Sequence, residues 1–276
     1  MNVAYTVWTW MMEEFGREEP TEAAERHFEE AVRSISYLGY DSIENFNFIV
    51  PLYEKRPEDL KKLLEKYNLQ LVNLYHTYYE DDVDKWLDLG ERTCKLLQYC
   101  GAKFINVQGN IAYPDAPVDK EALKMYSETF SKMGEISKKY GVQTCMHPHW
   151  GTRMYWPEAI EYFYEITDND LVKMTIDTAH TTLAGIDPVK QTEKYIDIIK
   201  YVHFKDVAPD PIPAIEKAPD KFRALGQGTV DFESILKVLK KHGYDGTICV
   251  EHDNPKICSY ESAEYSRKYL KATLGL

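Results

Sequence analysis

The chain has 276 residues, 44% of them hydrophobic, and its 33 Lys and Arg against 45 Asp and Glu give a formal charge of −12. That length buries a large core without disulfide or metal staples, and it suits either two average domains or a single α/β barrel of about 250 residues. The negative surplus repels phosphate backbones and anionic lipid, which argues against nucleic-acid and membrane partners.

Short apolar runs alternate with longer amphipathic stretches along the whole chain. Residues 2–8 read as a strand, and Thr21 is placed to cap a helix over 22–38 that Gly39 ends. A second strand is expected over 42–46 and a helix over 57–67. Residues 69–75 read as a third strand, followed by a helix over 83–100 that stops at Gly101. Strand 103–108, helix 118–140 and strand 142–147 follow, with Gly141 as the break. The second half repeats the scheme. Helices are expected over 157–167, 188–196, 232–242 and 259–274, and strands over 172–177, 200–204 and 247–251.

Strand alternating with helix implies right-handed crossovers and a parallel sheet. Eight units of about 34 residues, with no linker between them, predict one (β/α)₈ TIM barrel as a single domain over 1–276. An open doubly wound sheet is the alternative, but no GxGxxG follows the first strand. The irregular stretch 207–230, with Pro209, Pro211, Pro213 and Pro219, reads as a long loop of the kind that is either functional or disordered. Cys94, Cys100, Cys145, Cys249 and Cys258 form no CxxC pair and sit in periodic segments, as reduced thiols do. No apolar run reaches the roughly 18 residues of a membrane span. The first residues carry no basic region of a signal peptide. The expected location is the cytoplasm.

A barrel gathers its chemistry at the C-terminal ends of its strands. The residues expected there are Trp8, Glu44, His76, Gln108, His147, Asp177, His203 and Glu251. The last four come from consecutive strands and should converge. Two imidazoles and two carboxylates suit a divalent ion of intermediate hardness. Mn²⁺ is the first choice, with Co²⁺, Fe²⁺, Zn²⁺ and Mg²⁺ as alternatives. A buried hydrogen-bond network without a metal is the competing reading.

Five stretches of this half resemble the xylose-isomerase-like barrel superfamily. They are Met146-His-Pro-His-Trp-Gly-Thr152, Ile176-Asp-Thr-Ala-His180, Tyr201-Val-His-Phe-Lys-Asp206, Gly226-Gln-Gly-Thr-Val-Asp-Phe232 and Val250-Glu-His-Asp253. The first run is most similar to inosose dehydratases. The resemblance implies a metal-dependent enzyme acting on a small polyhydroxylated keto substrate. Epimerases of the superfamily end the fifth strand in a glutamate that serves as one of two acid/base groups. Here that position holds His147, which favours a lyase over a two-glutamate epimerase.

His149, two residues on, is the candidate general base, since a free imidazole has a pKa near ~6.5. Glu251 is the alternative base. Lys205 is placed to polarise a substrate oxygen, and Asp206 to orient Lys205 or His203. Glu44, His180, Arg223, Trp8 and Trp150 are the expected substrate contacts, Glu44 with a role behind the ligands as its alternative. Aromatic faces suit the C–H faces of sugars and cyclitols. The expected chemistry is removal of a proton α to a ketone followed by loss of water. Isomerisation or epimerisation, or elimination from a 3-keto glycoside, would use the same enolisation. A nuclease of the superfamily needs more histidines than eight and a basic groove. An accessory barrel has no use for four converging ligands, and a homo-oligomer is compatible with the sequence.

Overall fold

The computed structural model describes residues 1–17, 19–112, 117–208, 220–255 and 258–276. Pro209, Pro211, Pro213 and Pro219 of the expected loop lie outside these residues. Seven parallel strands follow in chain order: β1 (Asn2–Thr6), β2 (Ser42–Phe46), β3 (Gln70–Thr77), β4 (Phe104–Gln108), β5 (Gln143–Met146), β6 (Val172–Asp177) and β7 (Ile199–Phe204). Two short strands, β8 (Asp206–Val207) and β9 (Phe222–Arg223), pair antiparallel with each other outside the barrel. Then β10 (Thr247–Val250) pairs with both β7 and β1 and closes the barrel. Eight barrel strands from residues 2 to 250 therefore make one closed parallel barrel.

Helices cover its outside: α1 (Ala24–Leu38), α2 (Val50–Tyr53), α3 (Pro57–Lys66), α4 (Val83–Cys100), α5 (Lys120–Lys139), α6 (Pro157–Ile166), α7 (Thr178–Leu183), α8 (Pro188–Lys194), α9 (Phe232–Lys241) and α10 (Ser259–Tyr269). Their ends follow from local chemistry. Asp82, Asp119 and Asp231 accept backbone N–H bonds at the starts of α4, α5 and α9. Gly39 and Gly101 take the left-handed conformation that ends α1 and α4. No described helix is long and apolar enough to cross a membrane.

Several expectations are corrected. Thr21 does not cap α1, because the buried Glu14 carboxylate takes both its hydroxyl and its backbone N–H. The first strand stops at Thr6, and Trp8–Trp10 forms a short 3₁₀ turn at the rim. The helical turn α7 after β6 and the β8–β9 pair were not foreseen from the sequence.

Side chains alternate between the two faces of a strand. Phe204, Val202, Ile248 and Val250 join the apolar layer between barrel and helices. Their neighbours Tyr201 and Cys249, with Ala4 and Cys145, fill the barrel's own interior. Removing a large outer-layer ring such as the fully buried Phe130 would cost about 3–5 kcal/mol. The inward parity takes 201 and 203 in β7 and 249 in β10, and carries on to Lys205 and Glu251 just past the two strands. This two-residue period decides which side chains reach the site.

Candidate metal centre

Parity brings His147, Asp177, His203 and Glu251 to one place at the mouth. All four are buried, and one ligand atom from each lies within 4.8 Å of the others. The Asp177 carboxylate is fixed by local structure. Its Oδ1 accepts the His180 backbone N–H at 2.8 Å and so starts α7, which leaves Oδ2 aimed inward. Oδ2 stands 3.6 Å from His147 Nε2 and 3.6 Å from His203 Nδ1, beyond hydrogen-bond reach. Glu251 Oε2 is 3.0 Å from His203 Nδ1 and 3.3 Å from Lys205 Nζ.

Among the described residues, none of His147 Nδ1, His147 Nε2, Asp177 Oδ2, His203 Nδ1 and Glu251 Oε2 has a hydrogen-bond partner, although all are buried. A buried polar atom without a partner costs about 1–3 kcal/mol, so a cluster aimed at one point fits an ion. Two imidazoles and two carboxylates fit a divalent cation of the first transition row. These four residues can therefore hold a divalent ion.

Glu44 lies behind this set and does not face the mouth. Its Oε2 is 3.0 Å from His203 Nε2 and takes Asn73 Nδ2 at 2.6 Å. It thereby presents Nδ1 of His203 to the centre, the usual support of a ligating imidazole by a carboxylate. Of the two roles expected for Glu44, its contacts with His203 and Asn73 match the one behind the ligands.

Charge follows geometry. Burial opposes the charge on His203, but Glu44 and Glu251 carry its pKa well above the usual range. Burial also works against ionised Asp177 and Glu251, yet His180, His147 and His203 hold Asp177 well below the ordinary carboxylate range. Lys205 and His203 do the same for Glu251.

The side of the site beyond these ligands is built by His149, His180, Lys205 and Asp253. Lys205 is fully buried. Thr178 Oγ1 bonds both its backbone N–H and its carbonyl, so the end of β7 is pinned to the start of α7. Its ammonium contacts Asp253 Oδ2 at 2.5 Å and His180 Nε2 at 3.3 Å, and lies 4.2 Å from the centre of the Phe222 ring. Burial disfavours the cation, but Asp253 and Glu251 keep it firmly protonated.

His149 Nδ1 stands 2.6 Å from the Trp150 carbonyl, and a carbonyl can only accept. Nδ1 must carry the hydrogen, so Nε2 holds the lone pair. Burial and the Lys205 cation lower the His149 pKa to about 3, which keeps the ring neutral. His180 Nδ1 accepts the Trp150 backbone N–H at 3.3 Å. In that neutral tautomer Nε2 carries a hydrogen, so His180 cannot accept from Lys205. Asp253 takes one ammonium proton and Glu251 Oε2 stands 3.3 Å away without a hydrogen bond, so the ammonium keeps a proton for a bound molecule.

The remaining candidates divide. Trp150 packs with Tyr155 and Phe222 beside His149 and His180, and Trp8 donates its indole N–H to Asp253 Oδ1 at 3.2 Å. Arg223 is bonded to the carbonyls of Asp220 and Phe222, and it is Phe222 that β9 lays over Lys205. Asp206 is also corrected. It orients neither His203 nor Lys205 but accepts backbone N–H bonds from Val207, Gly226, Gly228 and Val230, holding the Gly226–Val230 turn. His76 points out of the barrel, with Nδ1 2.8 Å from Asn47 and its ring stacked on Trp86. Gln108 is buried, and its Oε1 has no partner among the described residues.

The sequence alone gives Tyr75 and Asp253 no role of their own. The Tyr75 ring packs 5.2 Å from that of His147 and 6.0 Å from that of His203, with a buried hydroxyl that makes no hydrogen bond. Tyr75 shares a face of β3 with Asn73, whereas Asp253 lies in the bend past the end of β10.

The sequence model of the xylose isomerase-like TIM barrel family matches residues 32–273. The chain belongs to this family. Among its xylose isomerase-like relatives, the inosose dehydratase of Clostridium beijerinckii is 28% identical over 93% of each chain. That of Lacticaseibacillus casei is 29% identical over 90% of each. Among solved structures, the IOLI protein with a bound zinc atom superposes with a TM-score of 0.75 at 18% identity, covering 98% of this chain and 97% of that one. The probable 3-DHS dehydratase AsbF of Bacillus anthracis gives 0.77 at 15%, covering 99% and 100%. These two structures share the fold.

Proposed function

We propose that the protein is a divalent-metal-dependent carbohydrate lyase that dehydrates a small keto-cyclitol or keto-sugar, as the name inosose dehydratase of its curated relatives suggests. The observation that carries this reading is the pairing beside the ligand cluster of one neutral imidazole, His149, with one buried ammonium, Lys205. A two-carboxylate epimerase would need a second acid/base carboxylate where β5 supplies His147.

A divalent ion held by His147, Asp177, His203 and Glu251 would supply Lewis-acid polarisation of a ketone and an adjacent hydroxyl. His149 Nε2 takes the proton α to the ketone. The spare proton of Lys205 donates to the oxygen on which negative charge develops, where a fixed donor is worth most. His149, now protonated, returns its proton to the departing β-hydroxyl, and water leaves. Trp150, Tyr155 and Phe222 make the apolar wall of the pocket. Near the cluster stand four carboxylates, Glu44, Asp177, Glu251 and Asp253. Among the described residues, one ammonium and one divalent ion leave no cationic excess for a phosphate or carboxylate group. The substrate is therefore taken to be an uncharged polyol ketone.

The test is incubation of metal-loaded protein with a ketoinositol and with ketohexoses in deuterated water. The absorbance of a conjugated dione from the ketoinositol supports dehydration. Deuterium wash-in with every substrate and dehydration with none would sink the lyase reading in favour of isomerisation or epimerisation. Product analysis on a 3-keto glycoside separates elimination of an aglycone from loss of water.

A further inference from the structure

Lys205 reaches the site on a long, flexible side chain, and its charge is useful only if the ammonium is held at one point. Among the described residues three polar groups reach it, and they are not equivalent. Glu251 Oε2 belongs to the ligand cluster and also faces His203 Nδ1 at 3.0 Å, so its negative charge is shared. His180 Nε2, at 3.3 Å, carries a hydrogen in the tautomer set by the Trp150 backbone N–H. It gives the ammonium no acceptor. Asp253 is different. It lies outside the four converging ligands and makes the shortest contact with Nζ, 2.5 Å to Oδ2. Its other oxygen, Oδ1, accepts the Trp8 indole N–H at 3.2 Å, so the carboxylate cannot swing freely. The Trp8 ring is itself wedged against Phe15 at 6.0 Å and Phe46 at 5.7 Å. A rigid line thus runs from the aromatic rim through Asp253 to the ammonium.

We infer that Asp253 is a positioning residue, tethered by Trp8, that fixes the Lys205 ammonium beside the ligand cluster with one proton directed at the substrate. Two features support this beyond the distances. Asp253 lies in the bend just past β10 and Glu251, so one short segment supplies a ligand to the ion and the tether of the ammonium. Lys205 has no exposure to water, and a buried cation that loses its dedicated partner moves toward whatever negative charge remains. Here that charge is Glu251. Without Asp253 the ammonium shifts onto the ligand carboxylate and away from the substrate's oxygen.

The kinetic part of this inference rests on the enolising reaction proposed above, and the structural part does not. The experiment compares Asp253→Asn, Lys205→Met and the double variant, each checked for fold by circular dichroism. Asparagine keeps the acceptor for Trp8 and removes the charge. With a ketoinositol, each single variant should lose roughly 10²-fold in kcat, as expected for a misplaced transition-state donor, with little change in KM. The double variant should be no worse than Lys205→Met alone, since residues that act as a unit are not additive. Losses that multiply in the double variant would overturn the inference.

A crystal structure of Asp253→Asn gives a readout free of substrate. Nζ should leave its place between Glu251 and His180, and an unmoved Nζ overturns the inference. Asp253→Ser replaces the asparagine variant in both arms if the latter does not fold. If the wild-type protein acts on none of the keto substrates, the proposed reaction fails, while the crystal structure still decides the positioning role.

Discussion

Replacing His147 by leucine should leave the metal-free protein as stable as before or more so, while abolishing its response to metal. Both nitrogens of His147 are buried without hydrogen bonds. Each such group costs about 1–3 kcal/mol, and an apolar side chain of similar size removes that cost. Imperfect shape returns up to about 1.5 kcal/mol. The two nitrogens together return about 2–6 kcal/mol, and the shape term with the lost support of the Asp177 carboxylate brings the net gain without metal to about 1–3 kcal/mol, or about 2–6 °C in Tm for a chain of this size. The wild type should instead gain about 2.7 kcal/mol, near 5 °C, from a divalent ion at one hundred times its Kd. The leucine variant should gain nothing. The assay is thermal unfolding of chelator-treated protein with and without Mn²⁺, Co²⁺ or Zn²⁺, alongside elemental analysis of bound metal. A variant destabilised by several kcal/mol in the metal-free state would refute the claim that these nitrogens lack partners. A retained metal response would remove His147 from the ligand set.

Metal uptake should release about one proton near pH 7, because Glu44 and Glu251 keep the metal-free His203 protonated and an ion must displace the hydrogen on Nδ1. Calorimetric titration in two buffers of different ionisation enthalpy measures this, and affinity should fall as the pH is lowered. Stability should also fall with acid through a second group. Burial holds the His76 pKa at about 4 in the folded chain, against about 6.5 when unfolded. Between those values only the unfolded chain binds the proton, so the contribution is complete above about pH 6.5 and lost on descending to about 4. Its size is about 3 kcal/mol, and urea titrations of His76→Gln over this range should show a flatter profile. Gly228→Ala should destabilise the turn held by Asp206 by about 1–3 kcal/mol, since the added carbon would stand 2.2 Å from Asp206 Oδ1 and 2.4 Å from the Val207 carbonyl. Urea unfolding reads the loss, and an unchanged midpoint would show that the turn can give way.

Much of the architecture is written locally. Hydrophobic periodicity and the glycines after α1, α4 and α5 mark strand–helix units whose number allows one barrel. The four potential ligands were legible because parallel strands in a barrel must deliver their C-terminal ends to one rim. His76 and Tyr75 show where that reasoning stopped. A strand end is defined to within a residue, but a shift of one residue reverses which side chain faces inward. The rule of strand ends favoured His76, whereas the register of β3 turns Tyr75 inward.

Glu44, Asp206 and Arg223 show a second limit. Each is a charged residue close to a strand end in sequence, and its role depends on which distant group it meets. Glu44 meets His203 across 159 positions, Asp206 meets the Gly226–Val230 turn, and Arg223 meets carbonyls of its own segment. The sequence by itself determined the fold, the kind of ligands and the strands that carry them, because these depend on local pattern and on the closure of a parallel sheet. Only the tertiary structure decided which nitrogen of His149 and which oxygen of Asp177 are free, and that Asp253 and Lys205 belong together. Those outcomes depend on contacts between strands far apart in the chain, with distances set to a fraction of an ångström by packing.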